Sequence, residues 1–261
     1  MSNAQPMMPI IHRLSVTPST QLLAAQRTAV LMMEDYHPPI GYCEAWIAET
    51  QLRGRGQHHR PFASPPGGFY LSLLLVVDCS MGIEILPLAV GWQCARALMI
   101  LGCPRIDIRW PNDLCLNGKK LGGILCQSVV NGDRCLVLVG IGINTNSPLR
   151  NFPDELQPYI TTLAENGVTV DHELLLKHFV TFMQELRDAN MVAHCTLQAA
   201  SLDAAHSRRI TVVVDGLEME GIAQGWGKNG FLRLHTPEGI RELISATITK
   251  IDGRKVRLED Q

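Results

Sequence analysis

Apolar residues recur along this chain at two spacings, one typical of helices and one typical of strands. Apolar positions three to four residues apart after Ser19 predict a first helix, with Ser19 as its N-cap and an end before His37. The same spacing predicts helices over residues 85–101, 171–191 and 196–205. Short apolar runs predict strands at residues 12–16, 42–48, 69–77, 106–110, 113–116, 121–130 and 135–143.

Turn signals, and a change after Ser207 to short strands separated by Gly-rich turns, divide these elements into two units. Asn117-Gly118 predicts a tight hairpin, and residues 50–68 form a long loop. After Ser207 the chain carries short strands between Gly-rich turns, which suit a small barrel. These strands are predicted at residues 210–214, 218–224, 231–234 and 240–248. The predicted fold class is α/β (α+β), with a mixed sheet flanked by helices over residues 10–206 and a small β-barrel over 207–261.

Composition excludes several classes of protein. The chain has 261 residues, of which 46% are hydrophobic and 18% charged, and its net charge is −2; this excludes disorder throughout and argues against a dedicated nucleic-acid-binding protein. No uninterrupted apolar run reaches the ~18–20 residues of a membrane helix, and residues 1–9 lack the pattern of a secretory signal. The eight cysteines include no C-x-x-C pair, which predicts reduced thiols and a cytoplasmic protein.

The first candidate for chemistry is the loop at residues 51–60. It concentrates flexible and cationic residues, namely Arg53, Gly54, Arg55, Gly56 and Arg60. Glycines let a backbone approach an anion closely, and arginines supply bidentate donors for phosphate or carboxylate. A solvated basic loop is the alternative, and the segment matches neither a P-loop nor the G-x-G-x-x-G fingerprint. His58 and His59 lack further ligands at a spacing that would form a zinc site.

Two further segments place polar residues at the ends of predicted strands. Asp113 either holds a cation or caps a turn, and Lys119 and Lys120 are expected on opposite faces of one strand. The segment 140–146 combines glycines with asparagines. Strand ends are common ligand sites, and no covalent nucleophile is evident. The residues therefore favour adenylyl or phosphoryl transfer with a nucleotide polyphosphate and Mg²⁺.

The ordered motifs resemble those of the biotin protein ligases, in the short form without an N-terminal DNA-binding domain. The matching residues are Ser19-Thr20, Gln51-x-x-Gly54-Arg55-Gly56, Ser64-Pro65-Pro66-Gly67-Gly68 before Leu71-Ser72-Leu73, Trp110-Pro111-Asn112-Asp113, Lys120-Leu121-x-Gly123-Ile124-Leu125 and Gly140-Ile141-Gly142-Ile143-Asn144. The resemblance implies a class II synthetase-like catalytic domain over residues 10–206 and an SH3-like barrel over 207–261. It also implies that biotin is activated as biotinyl-5′-AMP and transferred to a lysine of a biotin carboxyl carrier protein.

The resemblance also assigns site residues, with Lys120 and Arg55 as the catalytic pair. Biotin contacts are implied for Ser19, Thr20, Gln21, Gln51, Arg55, Gly56, Gln57, Lys120 and Gly123. ATP contacts are implied for Arg55, Arg60, Phe62, Arg109, Asn112, Asp113 and Asn144. ATP and Mg²⁺ are the expected co-substrates, with Asp113 as a magnesium ligand and no tightly bound metal.

This chain departs from the family pattern at four positions. Gln57 stands where an arginine linked to retention of the adenylate is frequent, which predicts looser retention of biotinyl-AMP. Gln21 stands in place of asparagine, Phe62 in place of tryptophan and Arg109 in place of lysine. These changes bear on affinity more than on the type of reaction.

Two alternative functions stay open at this stage. A lipoate or octanoate ligase of the same fold would need an apolar tunnel, whereas Ser19, Thr20 and Gln51 favour the polar ring of biotin. A non-catalytic biotin sensor is disfavoured by Lys120 and Arg55, and about a dozen residues before the first strand are too few for a helix-turn-helix. The expected partners are biotin, ATP and a carrier domain, without nucleic acid or membrane; a homodimer formed by sheet extension is one expectation.

Overall fold

The fold was obtained as a computed structural model, which describes residues 8–34, 38–57, 60–79, 82–132 and 134–257. The strands are β1 (Ile10–Thr17), β2 (Cys43–Gln51), β3 (Phe69–Asp78), β4 (Asp107–Arg109), β5 (Asp113–Leu116), β6 (Lys119–Asn131), β7 (Arg134–Ile143), β8 (Arg209–Val214), β9 (Leu217–Trp226), β10 (Leu232–Thr236), β11 (Gly239–Leu243), β12 (Thr247–Ile251) and β13 (Arg254–Lys255). The helices are α1 (Thr20–Met33), α2 (Leu86–Ile100), α3 (His172–Glu185) and α4 (Ala189–Ala199).

A seven-stranded mixed sheet forms the larger part of the fold. Its strand order is β1-β2-β3-β7-β6-β5-β4, with β1 and β2 parallel and all other neighbours antiparallel. The predicted turn at Asn117-Gly118 connects β5 to β6, and both residues have positive φ, which asparagine and glycine tolerate best. The prediction of a mixed sheet flanked by helices is confirmed.

The two faces of this sheet are covered by different helices. On one face, Ala24 and Leu31 of α1 pack against Leu74, Leu136 and Leu138 of β3 and β7. On the other face, α2 and α3 bury the alternate residues of the same strands. The leucines of β7 lie under α1, whereas the next same-face positions, 140 and 142, are glycines. The missing side chains leave room for a cavity beyond the beginning of α1.

The second sheet is antiparallel, with the order β11-β10-β9-β8-β12-β13. It docks on the first sheet beside β4, where Trp110 Nε1 donates to the carbonyl of Gly230 at 2.8 Å. Nearby, Arg109 Nη1 donates to the carbonyl of Val256 at 3.1 Å. The residues that follow β13 therefore lie close to the end of β4.

The sequence prediction was wrong for three elements of the C-terminal half. The helix predicted over 171–191 is two helices, because Asp171 caps α3 and Asp188 caps α4 through bonds to backbone N–H groups. The helix predicted over 196–205 is instead the end of α4 followed by a short 3₁₀ turn. The strand predicted over 240–248 is divided into β11 and β12.

Within the described residues, one helical segment, Ile83–Ile100, is long and apolar enough to cross a membrane by length and composition. Of that segment, 56% is buried inside the protein, as in a core helix. A search for uninterrupted apolar runs misses it because Glu84, Gln93 and Arg96 lie within it.

A buried carboxylate lies where the two sheets meet. Asp203 Oδ1 accepts from the N–H of Ala205 at 2.9 Å, while Oδ2 is buried without a hydrogen-bond partner among the described residues. Burial raises the pKa of Asp203 to about 6. Because the folded state holds this proton more tightly than the unfolded chain, wild-type stability falls as the pH rises from about 4 to about 6.

We therefore expect Asp203→Asn to stabilise the fold at neutral pH. The asparagine keeps the oxygen that accepts from Ala205 but carries no charge. Its advantage over wild type should grow by about 2–3 kcal/mol between pH 4 and pH 7 and then stay constant. Urea unfolding at both pH values measures this change, with Asp215→Asn at an exposed turn as control. A difference that does not depend on pH would contradict the prediction.

Candidate active site

A cavity of about 320 Å³ opens on the α1 face of the seven-stranded sheet. Its floor is formed by β6 and β7, and its lining includes residues from the beginning of α1, the end of β2 and the loop after β2. Residues 152–160 and the second sheet complete the wall. All fifteen site residues predicted from the sequence line this one cavity, namely Ser19, Thr20, Gln21, Gln51, Arg55, Gly56, Gln57, Arg60, Phe62, Arg109, Asn112, Asp113, Lys120, Gly123 and Asn144.

One end of the cavity is built from neutral hydrogen-bonding groups. Gln51, at the end of β2, accepts at Oε1 from the backbone N–H of Thr20 at 2.9 Å, and Thr20 Oγ1 lies 3.2 Å from the same oxygen. Gln51 Nε2 donates to Ser64 Oγ at 2.9 Å, and Ser64 Oγ donates to the carbonyl of Phe62 at 3.0 Å. The amide of Gln51 is thereby held in one orientation between α1 and the loop.

The neutral network continues across the sheet from Thr20. Thr20 Oγ1 and Ser72 Oγ are 2.9 Å apart, Ser72 Oγ donates to Gln21 Oε1 at 3.0 Å, and Gln21 Nε2 donates to Gln127 Oε1 at 2.9 Å. A Cβ at Gly140 would lie 2.6 Å from Gln21 Oε1. Glycine at position 140 thus makes room for the Gln21 amide on the floor of the cavity.

The loop after β2 folds back over the floor. Gly56 N–H donates to the carbonyl of Arg60 at 2.8 Å, and Phe62 N–H donates to the carbonyl of Gly54 at 2.9 Å. A side chain at Gly54 would collide with the carbonyl oxygen of Phe62. The ring of Phe62 covers Gly142, where a Cβ would lie 2.5 Å from the ring. His58 and His59 lie outside the described residues.

The other end of the cavity is cationic and is organised by one carboxylate. Asp113 Oδ1 pairs with Lys120 Nζ at 2.5 Å, and Asp113 Oδ2 accepts from Arg109 at 2.7 and 3.2 Å. Burial alone would raise the pKa of Asp113, but Lys120 and Arg109 hold it well below its usual range. Lys119 is exposed while Lys120 faces the cavity, so the expectation of opposite faces is confirmed.

The cavity lining carries an excess of positive charge. Its described residues include the cations Arg55, Arg60, Arg109, Lys120 and Arg257 against the single carboxylate of Asp113. The backbone of Arg55 pairs with Pro61, whereas its side chain makes no hydrogen bond or ion pair with another described residue. An anionic ligand is the natural complement of this lining.

Two asparagines lie at this end of the cavity, and they differ in whether a side-chain atom remains free to bind a ligand. Asn112 Nδ2 donates to the carbonyl of Ile124 at 2.6 Å, so this side chain ties the beginning of β5 to β6. Asn144 Nδ2 donates to the carbonyl of Thr161, but its Oδ1 is buried without a partner among the described residues. A buried acceptor at the cavity wall points to a donor on the ligand.

The residues of the cavity do not form a magnesium site as they stand. Both oxygens of Asp113 already contact cations, and Asp113 is the one acidic residue in the described lining. The part of the chain that the structure describes contains no group of three or more His, Cys, Asp or Glu residues able to hold a metal ion. The magnesium role of Asp113 stays a prediction.

Sequence reasoning missed one wall of the cavity and part of its network. The wall is apolar and comes from the segment after β7, with Phe152, Leu156, Tyr159 and Ile160. Tyr159 is brought near Lys120 because the N–H of Lys120 donates to its carbonyl at 2.9 Å. No local motif marks this segment. Ser72 lies between Leu71 and Leu73 in a predicted buried strand, and this pattern indicates no chemical role for it.

The chain is similar to known proteins over most of its length. A biotin--[acetyl-CoA-carboxylase] ligase of Paracoccus denitrificans is 31% identical over 220 residues, which cover 77% of this chain and 88% of that relative. The chain belongs to the biotin protein ligase family. The model of the "Biotin/lipoate A/B protein ligase family" matches residues 43–144, which include β2 to β7.

Other relatives of the biotin protein ligase family extend the comparison. The bifunctional ligase/repressor BirA of Escherichia coli is 32% identical over 79% of this chain, and the match covers 66% of that relative. The corresponding match covers 64% of BirA from Bacillus subtilis. The chain thus spans just under two thirds of the length of these bifunctional relatives. A biotin protein ligase from Aquifex aeolicus in complex with biotin and ATP superposes with a TM-score of 0.72 at 26% identity, covering 92% of this chain and 97% of that one.

The family comparison agrees with the architecture predicted from the sequence. The mixed sheet flanked by helices is the class II synthetase-like fold of biotin protein ligases, and the antiparallel C-terminal sheet agrees with an SH3-like unit.

Proposed function

We propose that this protein is an ATP-dependent ligase that activates biotin as biotinyl-5′-AMP and transfers the biotinyl group to a lysine of a biotin carboxyl carrier protein. The observation that carries the proposal is a single cavity that joins a neutral hydrogen-bonding end to a cationic end. Biotin has a neutral ureido ring and a carboxylate, and ATP is a polyanion. The names of the relatives and the complex of the Aquifex protein with biotin and ATP support the same assignment.

The neutral end is suited to the ureido ring. Thr20, Gln21 and Gln51 offer hydroxyl and amide groups whose orientations are fixed by bonds to one another or to Ser72. Ser19 is committed in part to α1, because its Oγ accepts from the N–H of Leu22 at 3.4 Å. Buried polar groups of this kind discriminate strongly against a ligand that leaves them unpaired. They favour biotin over an acyl chain such as lipoate or octanoate.

The cationic end is suited to the first reaction. A carboxylate oxygen of biotin attacks the α-phosphorus of ATP, the new O–P bond forms, and the bond to the β-phosphate breaks with release of pyrophosphate. Lys120 and Arg55 would stabilise the charge that develops on the transferring phosphoryl oxygens. Asp113 holds the Lys120 ammonium in place, and Arg109 fixes Asp113. Asn144 Oδ1 would accept from a donor of the nucleotide.

The second reaction needs a closed site more than a further catalytic group. The amine of the acceptor lysine attacks the acyl carbon of the mixed anhydride, an amide forms, AMP leaves, and the amine loses a proton. Water competes with this amine for the same carbon. Gly56 and Phe62, on the folded loop, would cover the adenylate and reduce that competition.

The proposal is tested by the intact mass of a purified biotin carboxyl carrier domain after incubation with the protein, Mg-ATP and biotin. A single biotinyl adduct that depends on ATP is the expected result. A parallel incubation with lipoate separates the two acyl substrates. An adduct with lipoate alone would favour the related ligase, and biotin binding without any adduct would favour a sensor.

A prediction concerns Gln57 in the loop. Gln57 lines the cavity, and its carbonyl accepts from the N–H of Arg60 at 3.1 Å. Because arginine adds a cationic bidentate donor facing an anionic adenylate, Gln57→Arg should release biotinyl-AMP more slowly than wild type. Chase of labelled adenylate measures the rate. Leu52→Arg, which adds the same charge on an exposed side chain of the same loop, is the control; equal release from Gln57→Arg and wild type would contradict the prediction.

The remaining assignments belong to the same proposal. We assign residues 10–206 to the catalytic unit and 207–261 to an SH3-like unit, and Mg²⁺ is the ion expected with ATP. The eight free thiols support a reducing, cytoplasmic location. A homodimer through sheet extension is supported by β6: β5 pairs only with its first part, up to Gly123. Val130 is 64% exposed farther along that strand.

A further inference from the structure

The hydrogen-bond network of the cavity floor does not end inside the cavity. It leaves through Gln21, whose Nε2 donates to Oε1 of Gln127 on β6 at 2.9 Å. Gln127 lies opposite Leu138 in the register of β6 and β7, two positions beyond the Leu125–Gly140 pair of the floor. Gln127 is exposed to solvent and does not line the cavity. An exposed residue is thus bonded directly to a buried residue of the site.

The order of donors and acceptors along this network is determined by the orientation of the Gln21 amide. With Nε2 directed to Gln127, Oε1 is the atom that faces Ser72 and accepts its only hydroxyl proton. Ser72 can then only accept from Thr20, which lies 2.9 Å away. The single proton of Thr20 has two acceptors in reach, Ser72 Oγ at 2.9 Å and Gln51 Oε1 at 3.2 Å, and this order directs it to Ser72. Gln51 Oε1, which accepts from the Thr20 N–H, then keeps a second acceptor site for the ligand.

The opposite orientation of Gln21 would reverse this order. Its NH₂ group would face Ser72 and donate to it, and the proton of Ser72 would be free to go to Thr20. Thr20 would then direct its own proton to Gln51 Oε1, 3.2 Å away, and both acceptor sites of that oxygen would be filled by Thr20. The floor would lose an acceptor that it now presents to the ligand. Only the residue at position 127 touches the far end of the Gln21 amide through a hydrogen bond in the described network.

The missing side chain at Gly140 lets the Gln21 amide lie where it reaches both Ser72 and Gln127. A Cβ at Gly140 would lie 2.6 Å from Oε1 and 3.2 Å from the amide carbon of Gln21, so the amide rests directly on the glycine backbone. Gln21 is only 5% exposed, and Ser72 only 1%. Bulk solvent therefore does not compete for the bond between Ser72 and Gln21, which is worth more than a bond on the surface.

We propose that Gln127 is a positioning residue that fixes the polarity of the biotin-binding floor by accepting a hydrogen bond from Gln21. The inference rests on the proposed function, because it takes the ureido ring of biotin as the group that hydrogen-bonds to these donors and acceptors. Gln127 does not touch the ligand. It acts through Gln21, Ser72 and Thr20.

Two substitutions at position 127 separate polarity from packing. Gln127→Glu can only accept and preserves the observed orientation of Gln21, whereas Gln127→Lys can only donate and favours the reversed one. Val129 lies on the same face of β6, two positions farther from the floor, and is 39% exposed. Val129→Glu and Val129→Lys introduce the same charges on the same strand without contact to Gln21.

The experiment measures the Kd for biotin by calorimetry without ATP, and KM and kcat from pyrophosphate release. We expect Gln127→Glu to stay within about twofold of Val129→Glu, and Gln127→Lys to raise the Kd and KM for biotin about tenfold over Val129→Lys, the loss of roughly one well-formed buried hydrogen bond. The KM for ATP and kcat should change less than about twofold, because Lys120 and Asp113 are untouched.

The outcomes are separable. Equal biotin affinity in Gln127→Lys and Val129→Lys would overturn the role of Gln127 while leaving the proposed function standing. Equal loss in Gln127→Glu and Gln127→Lys would show that only packing at this position matters, and would also overturn it. Failure of the wild-type protein to bind biotin would overturn the proposed function, and this inference with it.

Discussion

Lys120→Met is expected to reduce the rate of biotinyl-AMP formation by about 10²–10³-fold, the cost typical of removing one preorganised charge-stabilising donor. Lys120 is held in the cavity by Asp113 at 2.5 Å, so its ammonium is in place before the substrates meet. Methionine retains most of the volume of the side chain and removes the charge. Pyrophosphate release under saturating biotin and ATP measures the effect.

The neighbouring lysine supplies the matched control for this experiment. Lys119 is exposed on the opposite face of β6, and Lys119→Met should keep the wild-type rate. The thermal unfolding temperature of Lys120→Met, followed alongside, confirms that the fold is intact. A rate within about tenfold of wild type would remove Lys120 from the proposed chemistry.

Asp113→Ala is expected to lower the free energy of unfolding by about 3–5 kcal/mol, because it leaves a buried guanidinium without its counter-charge. Arg109 has a side chain that is only 3% exposed, and Asp113 receives two of its N–H groups. The hydrogen bond from Arg109 to the carbonyl of Val256 does not neutralise the guanidinium, because a carbonyl carries no net charge. Urea unfolding measures the loss.

A nearby ion pair on the surface serves as the control, because removing an exposed carboxylate costs less stability than removing a buried one. Asp107 pairs with Arg105 at 2.8 Å, with side chains 34% and 61% exposed. Asp107→Ala should therefore cost no more than about 1 kcal/mol. Comparable losses for Asp113→Ala and Asp107→Ala would contradict the view that Asp113 organises a buried cluster.

Much of this site could be predicted because local patterns determine it. The N-cap of α1, the Asn117-Gly118 hairpin and the glycines of β7 each have a signature within a few residues. Strand alternation predicts that Lys119 and Lys120 lie on opposite faces of β6, and the resemblance to the family identifies Lys120 as the one at the site. These features placed the predicted side chains around one cavity once the sheet was formed.

The features that could not be predicted depend on residues distant in sequence. The apolar wall at Phe152 and Leu156 has no motif, and its position depends on where the chain goes after β7. The pairing of Gln21 with Gln127 joins residues 106 positions apart. The break between α3 and α4 was missed because the apolar spacing continues through it, although Asp188 caps the second helix.

The seven residues of β7 from Leu136 to Gly142 alternate between two faces of the sheet, and the two faces have different roles. The odd-numbered side chains, Val137, Val139 and Ile141, belong to the large core and are at most 3% exposed. The even-numbered glycines at 140 and 142 determine the depth of the cavity. A side chain at position 140 or 142 would enter the cavity and displace Gln21 or Phe62, while the residues on the opposite face of the strand stay in the large core. Ligand selectivity can therefore change at these two positions without a change in the large core.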